Sequence, residues 1–261
     1  MTRNFVGGLI ARPQINAQQI SVFDRNAPKN EALASDYGIG IASSAASLIN
    51  DCDIIVIAVK PQGLKSAIEP LVSLFAEQQP LVISLAAGTT IKSLEALLNE
   101  NLSIVRAMPN AGSLYGLGAT GLLANSKTTN QQRELTQFIS DSVGISAWVN
   151  SDADIDSITA LSGSGPAYFL LFIDYLAKAA NNAGIAQDDA LRFATQTAIG
   201  AAKLIEHSEH SIGTLVDGIC SKGGTTEQAV KQLKSDKLSE VVERAFDAAK
   251  RRSEELASSS S

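Results

Sequence analysis

Asp53-Ile54-Ile55-Val56-Ile57-Ala58-Val59, and further along Leu81-Val82-Ile83-Ser84-Leu85-Ala86, decide the fold class. Both stretches are short, rich in β-branched residues and almost continuously apolar. A strand with one wet face alternates apolar and polar residues. One that is apolar at nearly every position is buried on both faces, as in a parallel sheet covered by helices. Between and around these runs lie amphipathic, helix-like segments: Gln62–Phe75, Ile91–Leu98 and Asn130–Ser142. Further strand candidates are Gln19–Phe23, Ser103–Met108, Gly118–Leu123 and Ile145–Val149. That rhythm predicts a βαβ sheet domain of the α/β class over residues 1–150.

After Asn150 the strand signals stop. Asp152–Leu161, Pro166–Asn181, Asp188–Glu206, Thr226–Ser235 and Leu238–Leu256 carry apolar residues at helical spacing, so residues 151–261 read as an all-helical domain. The second helix opens on Pro166, where a first-turn proline fits, and Gly184 supplies its stop. It is apolar almost all round, from Tyr168 to Leu176. Such a helix is expected to be buried on every side, and a bundle of this size has too few neighbours to do it. A partner subunit is the expected cover. The tail Ser258–Ser261 is low in complexity and is expected to be disordered.

Composition narrows the class. The 261 residues carry 21 Lys+Arg against 27 Asp+Glu, a net charge of −6. An acidic chain argues against a nucleic-acid binder, which needs a basic face for phosphates. Cys52 and Cys220 are far apart, with no Cys-x-x-Cys, which excludes a disulfide framework and fits a reducing compartment. No apolar run reaches the ~18 residues of a membrane span, and no secretory signal pattern opens the chain. Cytoplasm is expected, with no membrane partner. His207 and His210 are the only histidines, and two ligands without a third make no metal site.

The start is anomalous for a dinucleotide-binding domain, which should open with a strand, a glycine-rich turn and a helix. Here Met1–Ile10 already reads as helix, and no Gly-x-Gly-x-x-Gly precedes the strand that ends near Asp24. The first strand and its turn are therefore expected to be missing from the sequence. In this strand order the first strand is central, so its absence leaves two open edges, each unpaired buried group costing about 1–3 kcal/mol.

Several strand ends carry unusual residues. Arg25 and Asn26 follow Asp24, where an acid can hold ribose hydroxyls and Arg or Asn a 2′-phosphate; an ordinary polar turn is the equal alternative. Ala58-Val59-Lys60-Pro61 and Ser84-Leu85-Ala86-Ala87-Gly88 sit at the edge where open α/β sheets bind ligands, as does Arg106-Ala107-Met108-Pro109-Asn110. The sharpest element is Ser221-Lys222-Gly223-Gly224-Thr225-Thr226-Glu227-Gln228. A Gly-Gly turn runs into a helix whose free amides and positive end suit a small carboxylate. A Thr225–Gln228 capping box needs no ligand and can coexist with it.

Taken together, AVKP (58–61), SLAAGTTI (84–91), VRAMPN (105–110), GATGL (118–122), TALSGSGPAY (159–168), QTAIGAAKL (196–204) and SKGGTTEQAV (221–230) resemble the pyrroline-5-carboxylate reductase family, over essentially the whole chain. The resemblance implies a Rossmann-like domain followed by a helical dimerisation domain, and hydride transfer from NADPH or NADH to the C=N carbon of L-1-pyrroline-5-carboxylate, giving L-proline. It implies carboxylate binding by Gly223, Gly224 and Thr225, with Thr226 bonded to the ring nitrogen as the catalytic group and Glu209 near the pocket. Arg25, Asn26, Ala58, Val59, Lys60, Pro61 and Ala86 would line the cofactor. A homodimer follows, extending to a higher homo-oligomer such as a decamer.

Some positions depart from the family pattern. Ala111-Gly112 follow Asn110 where Thr-Pro is usual, Lys222 replaces a proline, and an Asn expected near Ala45 is missing. Two alternatives follow. One is a non-catalytic or cofactor-impaired paralogue that keeps the oligomeric bundle. The other is a related imine or β-hydroxyacid reductase, disfavoured because the early bundle helix offers only Lys178, near its far end.

Overall fold

The structure, a computed structural model, describes residues 1–259. They group into two compact units: Met1–Ser164 with the chain from Ala249 onward, and Gly165–Ala248. The first helix after Asn150 and the last turns of the chain thus group with the sheet.

The first unit contains, in chain order, α1 (Thr2–Ile10), β1 (Ser21–Val22), α2 (Ala27–Tyr37), β2 (Gly40–Ile41), α3 (Ala45–Asp51), β3 (Ile54–Ile57), α4 (Pro61–Ile68), α5 (Val72–Gln78), β4 (Leu81–Ser84), α6 (Ile91–Leu97), β5 (Ile104–Met108), β6 (Gly118–Ala124), α7 (Asn130–Asp141), β7 (Gly144–Trp148) and α8 (Asp152–Ile158). The main sheet runs β3-β4-β5-β6-β7, with every neighbouring pair parallel except β5–β6. The register sets Ile57, Ser84 and Arg106 side by side, and Ile55, Val82 and Ile104 one step back. On that face Val82 and Ile104 pack with Leu64, Phe75 and Leu94 of α4 to α6. Ile83, Val105 and Leu122 fill the other face with Ile139 of α7. The β4 run is therefore buried on both sides, as its sequence predicts, whereas β3 is only partly covered, with Val56 exposed.

β1 and β2 form a separate two-stranded parallel sheet, seated with α1 and α2 on Val6, Val22, Leu33 and Ile39. The opening segment is helical as expected, and no strand precedes β1 among the described residues. The carbonyls of Asp53 and Ile57 accept from Leu81 and Leu85 of the β4 side. Backbone groups alternate sides along a parallel strand, so Ile54 and Val56 turn theirs to an edge that no strand covers. Val56 is 40% exposed, so this edge of β3 is reached by water rather than buried.

Local chemistry explains the boundaries. Gln62–Phe75 is not one helix: Pro70 falls in a 3₁₀ turn that separates α4 from α5. The expected strand at Gln19–Phe23 shrinks to two residues because Ala17–Gln19 form a capped 3₁₀ turn. α2, α3 and β2 went unforeseen, α2 being polar on most of its surface.

The second unit holds α9 (Gly165–Asn182), α10 (Gln187–Glu206), α11 (Ile212–Ile219), α12 (Thr225–Ser235) and the start of α13 (Leu238–Ser259). Ala177, Ala190 and Ala194 let α9 and α10 pack closely. α9 is not covered within the chain, however. Phe169, Phe172 and Tyr175 are 73%, 51% and 61% exposed, the uncovered stripe expected of a single copy whose bundle has too few neighbours. Ser164 does not cap α9 through its side chain; it closes a π-turn over Thr159–Gly163. Of the tail expected to be disordered, Ser258 and Ser259 belong to α13, and Ser260–Ser261 lie outside the described residues.

Gly144 begins β7 at φ +150, and a Cβ there would sit 2.0 Å from the carbonyl oxygen of Gly118. Gly144→Ala is expected to cost about 2–4 kcal/mol from the strained backbone and the displaced β6–β7 pairing. Urea denaturation followed by the fluorescence of Trp148, the chain's one tryptophan, measures the loss directly. An unchanged midpoint would show that the pairing yields there without cost.

Candidate functional site

The predicted cofactor residues all belong to the first unit, and the predicted substrate residues all belong to the second. In the first unit, register alone brings together the ends of three strands. Because Ile57, Ser84 and Arg106 are neighbours, Ala58–Pro61, Leu85–Thr90 and Pro109–Asn110 emerge side by side at one sheet edge. Ala58, Val59 and Lys60 are exposed. Lys60 is the N-cap of α4, with no side-chain cap bond, and Pro61 fixes the first turn. Pro61 has no amide hydrogen and the Gly63 amide donates to the Lys60 carbonyl at 2.9 Å, so among the described residues Gln62 carries the opening amide of α4 that lacks a helical acceptor. The Ala86 side chain is buried among Ile57, Leu64 and Leu94, so its backbone is the part that can meet a ligand.

The neighbouring strand end is braced by Asn110. Its Nδ2 donates to the Ser162 carbonyl at 2.9 Å, and its Oδ1 accepts from the Gly112 and Ala119 amides, both at 3.2 Å. Gly163 lies against Met108, a Cβ there falling 3.0 Å from the methionine methyl. The glycine-rich turn before α9 therefore packs on the end of β5, beside the same edge.

Arg25 and Asn26 are exposed after β1, in the separate sheet, and no hydrogen bond joins them to the β3–β5 edge. The Asn26 amide donates to Asp24 Oδ1 at 2.9 Å and Lys29 approaches Asp24 Oδ2 at 3.5 Å, which is the ordinary polar-turn geometry. The Arg25 side chain is left outside this turn.

In the second unit the Gly-Gly turn is more occupied than its sequence suggests. Gly223 takes φ +74, a left-handed conformation that suits glycine. Its amide donates to Glu227 Oε2 at 2.8 Å, and the Gly224 amide donates to the Ser221 carbonyl at 2.8 Å. Both predicted carboxylate donors are thus used internally. α12 starts one residue before the expected Thr226, with Gly224 as N-cap, and the Thr225–Gln228 capping box does not form. The open donors are the first-turn amides of α12, beginning at Thr225 and Thr226. Among the described residues neither threonine hydroxyl has a hydrogen-bond partner. Glu209 is exposed between α10 and α11, makes no ion pair, and is not bonded to this turn. Among the described residues no group of three metal-ligating side chains assembles.

Sequence reasoning passed over two residues that matter. Glu227 fills part of the proposed anion site with its own carboxylate, and its spacing of four from Lys231 was the available signal. Arg106, a single cation in an apolar strand, is only 2% exposed and pairs with Asp152 at 2.6 Å. The i,i+4 acids Asp152 and Asp156 were its visible counterpart.

A nicotinamide dinucleotide fits part of this arrangement. The β3 and β4 ends offer small residues, Ala58 and Ala87 exposed, and the uncapped Gln62 amide, suited to a flat ring and an anionic group. A glycine-rich turn for the diphosphate is not found before β1 among the described residues.

Comparison with known proteins agrees with the geometry. Residues 152–256 match the family model for pyrroline-5-carboxylate reductase dimerisation, and residues 1–88 match that for NADP oxidoreductase, coenzyme F420-dependent. The chain is 37% identical to a pyrroline-5-carboxylate reductase of Pseudomonas aeruginosa, covering 98% of this chain and 93% of that protein. Its fold is similar to that of a pyrroline-5-carboxylate reductase from Coxiella burnetii, with TM-score 0.94, 39% identity and coverage of 98% and 94%. It is also similar to a Plasmodium falciparum pyrroline carboxylate reductase with NADP bound, with TM-score 0.82, 27% identity and coverage of 97% and 93%.

The Gly223 amide, followed by Lys231, holds the Glu227 carboxyl below its ordinary value. A depressed carboxylate contributes stability that is present above the unfolded-state value and lost as pH falls through the folded one. Carbon-detected NMR titration of Glu227 should therefore give a midpoint below that of an unpaired glutamate, and Lys231→Met should move it part of the way back. A midpoint at the unpaired value would mean that the Gly223–Glu227 bond does not persist in solution.

Proposed function

The chain belongs to the pyrroline-5-carboxylate reductase family, and we propose that it reduces L-1-pyrroline-5-carboxylate to L-proline. The observation that carries the reading is the start of α12. Two threonines there offer free amides and hydroxyls at the positive end of an 11-residue helix. Relatives at this identity, matched over nearly their full length, bear the same activity in their names.

A bound nicotinamide cofactor supplies the hydride. The chain's own task is to hold a small cyclic imine still and correctly turned, an orientation effect that needs few side chains. The first-turn amides of α12 and the Thr225 hydroxyl bind the substrate carboxylate. The Thr226 hydroxyl bonds the ring nitrogen and fixes which face of the C=N carbon is presented. Glu227 bears the same charge as the incoming carboxylate, so it must leave Gly223 and turn wholly to Lys231, which it already meets at 3.3 Å. Gly223 and Gly224 then regain their part in the anion site, and Glu209 adds to the polar rim. Lys60, Pro61 and the backbone of Ala58, Val59 and Ala86 line the cofactor, and Arg25 with Asn26 meets its ribose end. NADPH is favoured by the arginine, with NADH as the alternative.

The uncovered apolar face of α9 supports a homodimer, on which a higher homo-oligomer can build. No helix among the described residues is long and apolar enough to cross a membrane, and both cysteines are free. Those features support placing the reaction in the cytoplasm.

The decisive experiment follows NADPH and NADH oxidation by the purified chain with pyrroline-5-carboxylate. Turnover with at least one of them is expected, and none with either would overturn the reading in favour of a non-catalytic paralogue. Thr226→Val should lower kcat/KM by about ten- to a hundredfold, the effect of one lost hydrogen bond in a closed site. Glu227→Gln should lower the KM for pyrroline-5-carboxylate a few-fold by removing the resident anion, about the strength of one exposed charge contact. Light scattering should give a dimeric or larger mass that drops to the monomer in Phe172→Glu; a wild-type monomer would refute the dimer.

A further inference from the structure

The last turns of α13 lie behind the loop that follows β4. Ser253 is 5% exposed, and its hydroxyl donates to Asp156 Oδ1 at 2.6 Å. Asp156, also buried, stands 3.9 Å from Arg106 Nη2, and Arg106 Nη1 donates to Asp152 Oδ1 at 2.6 Å. Asp152 in turn accepts the Ile91 amide, at 3.3 and 3.4 Å from its two oxygens. One chain of polar contacts therefore runs from the C-terminal helix, through β5, to the first residue of α6. The same helix end meets the loop directly. Gly88 has φ +69, and a Cβ on it would lie 3.2 Å from Leu256 Cβ.

Each member needs the others. A buried guanidinium is costly without partners, and the buried Asp156 carboxylate and the partly buried Asp152 repel each other unless a cation and neutral donors divide them. Here Arg106 stands between the two acids, the Ile91 amide serves one and the Ser253 hydroxyl the other. Arg106 Nη2 has no hydrogen-bond partner, so the pairing with Asp156 rests on charge across 3.9 Å and on Ser253 keeping that carboxylate turned inward. Between these anchors lies Leu85–Thr90, with Gly88 and Thr89 buried beneath α13.

We propose that Arg106, Asp152, Asp156 and Ser253 form a positioning clamp through which the C-terminal turns of α13 set the Leu85–Thr90 loop for the cofactor. The proposal rests on the reading that this loop borders the cofactor. It assigns the end of the chain a role in cofactor affinity, separate from the substrate turn on α12.

The test compares the full-length wild type with Ser253→Ala and Arg106→Lys by hydrogen exchange and by NADPH fluorescence titration. Ser253→Ala removes one hydroxyl; Arg106→Lys keeps the charge but cannot span both acids. In each variant the Leu85–Ile91 amides should exchange about tenfold faster while β3 to β5 stay protected, and the NADPH Kd should rise about tenfold, the scale of one charged hydrogen bond. The KM for pyrroline-5-carboxylate should move less than about twofold, since its anchor lies elsewhere. Unchanged loop exchange overturns the clamp, as does a uniform rise across the sheet with the NADPH Kd unaltered, which marks a purely structural network. Wild-type protein that binds no NADPH would sink the functional reading instead, and the exchange data would still decide whether the clamp orders the loop.

Discussion

Burial of β4 and β5 on both faces is the constraint from which the rest of the first unit follows. Val82, Ile104 and Val105 are wholly inaccessible, and neither face can be exposed without losing about 1.5–3 kcal/mol per side chain. Helices must therefore cover both sides, and the connections that deliver them make β3, β4 and β5 parallel. Parallel strands end together, so the loops after them meet at one edge. The place where a ligand can bind is thus a by-product of keeping water off Val82 and Ile104.

Arg106 shows how that sheet accommodates a charge. It occupies the same face as Val82 and Ile104, one register step nearer the ligand edge. Arg106 is the central residue of β5, yet its guanidinium reaches α8 and, through Asp156, the last helix, so burial is offset by paired charges and two added donors. The polar residue in the apolar strand fastens the periphery to the core.

The doubly buried strands and the amphipathic helices were legible because periodicity reports burial directly. β6 turning antiparallel to β5 was not, since direction depends on a short 3₁₀ turn capped by Asn110 rather than on apolar pattern. The exposed stripe on α9 was legible as an excess of apolar residues on a helix that too few neighbours could cover. At the substrate turn, residue types showed a helix start suited to an anion. They did not show that Glu227 would reach back to Gly223, because a side chain competing with a ligand follows the same spacing rule as an ordinary helical ion pair.

That competition has a consequence for how selectivity arises. An anion site made only of amides accepts any small carboxylate or phosphate that fits. With Glu227 resting on Gly223, a ligand must supply enough contacts to displace a carboxylate already in place, so its charge alone is insufficient. A ligand whose ring also meets Thr226 gains the additional bond; a bare anion does not. On the proposed function, the two threonines and the glutamate on one turn of α12 would act together: the amides attract, Glu227 rejects ligands that offer nothing else, and Thr226 rewards a ring nitrogen placed beside the carboxylate.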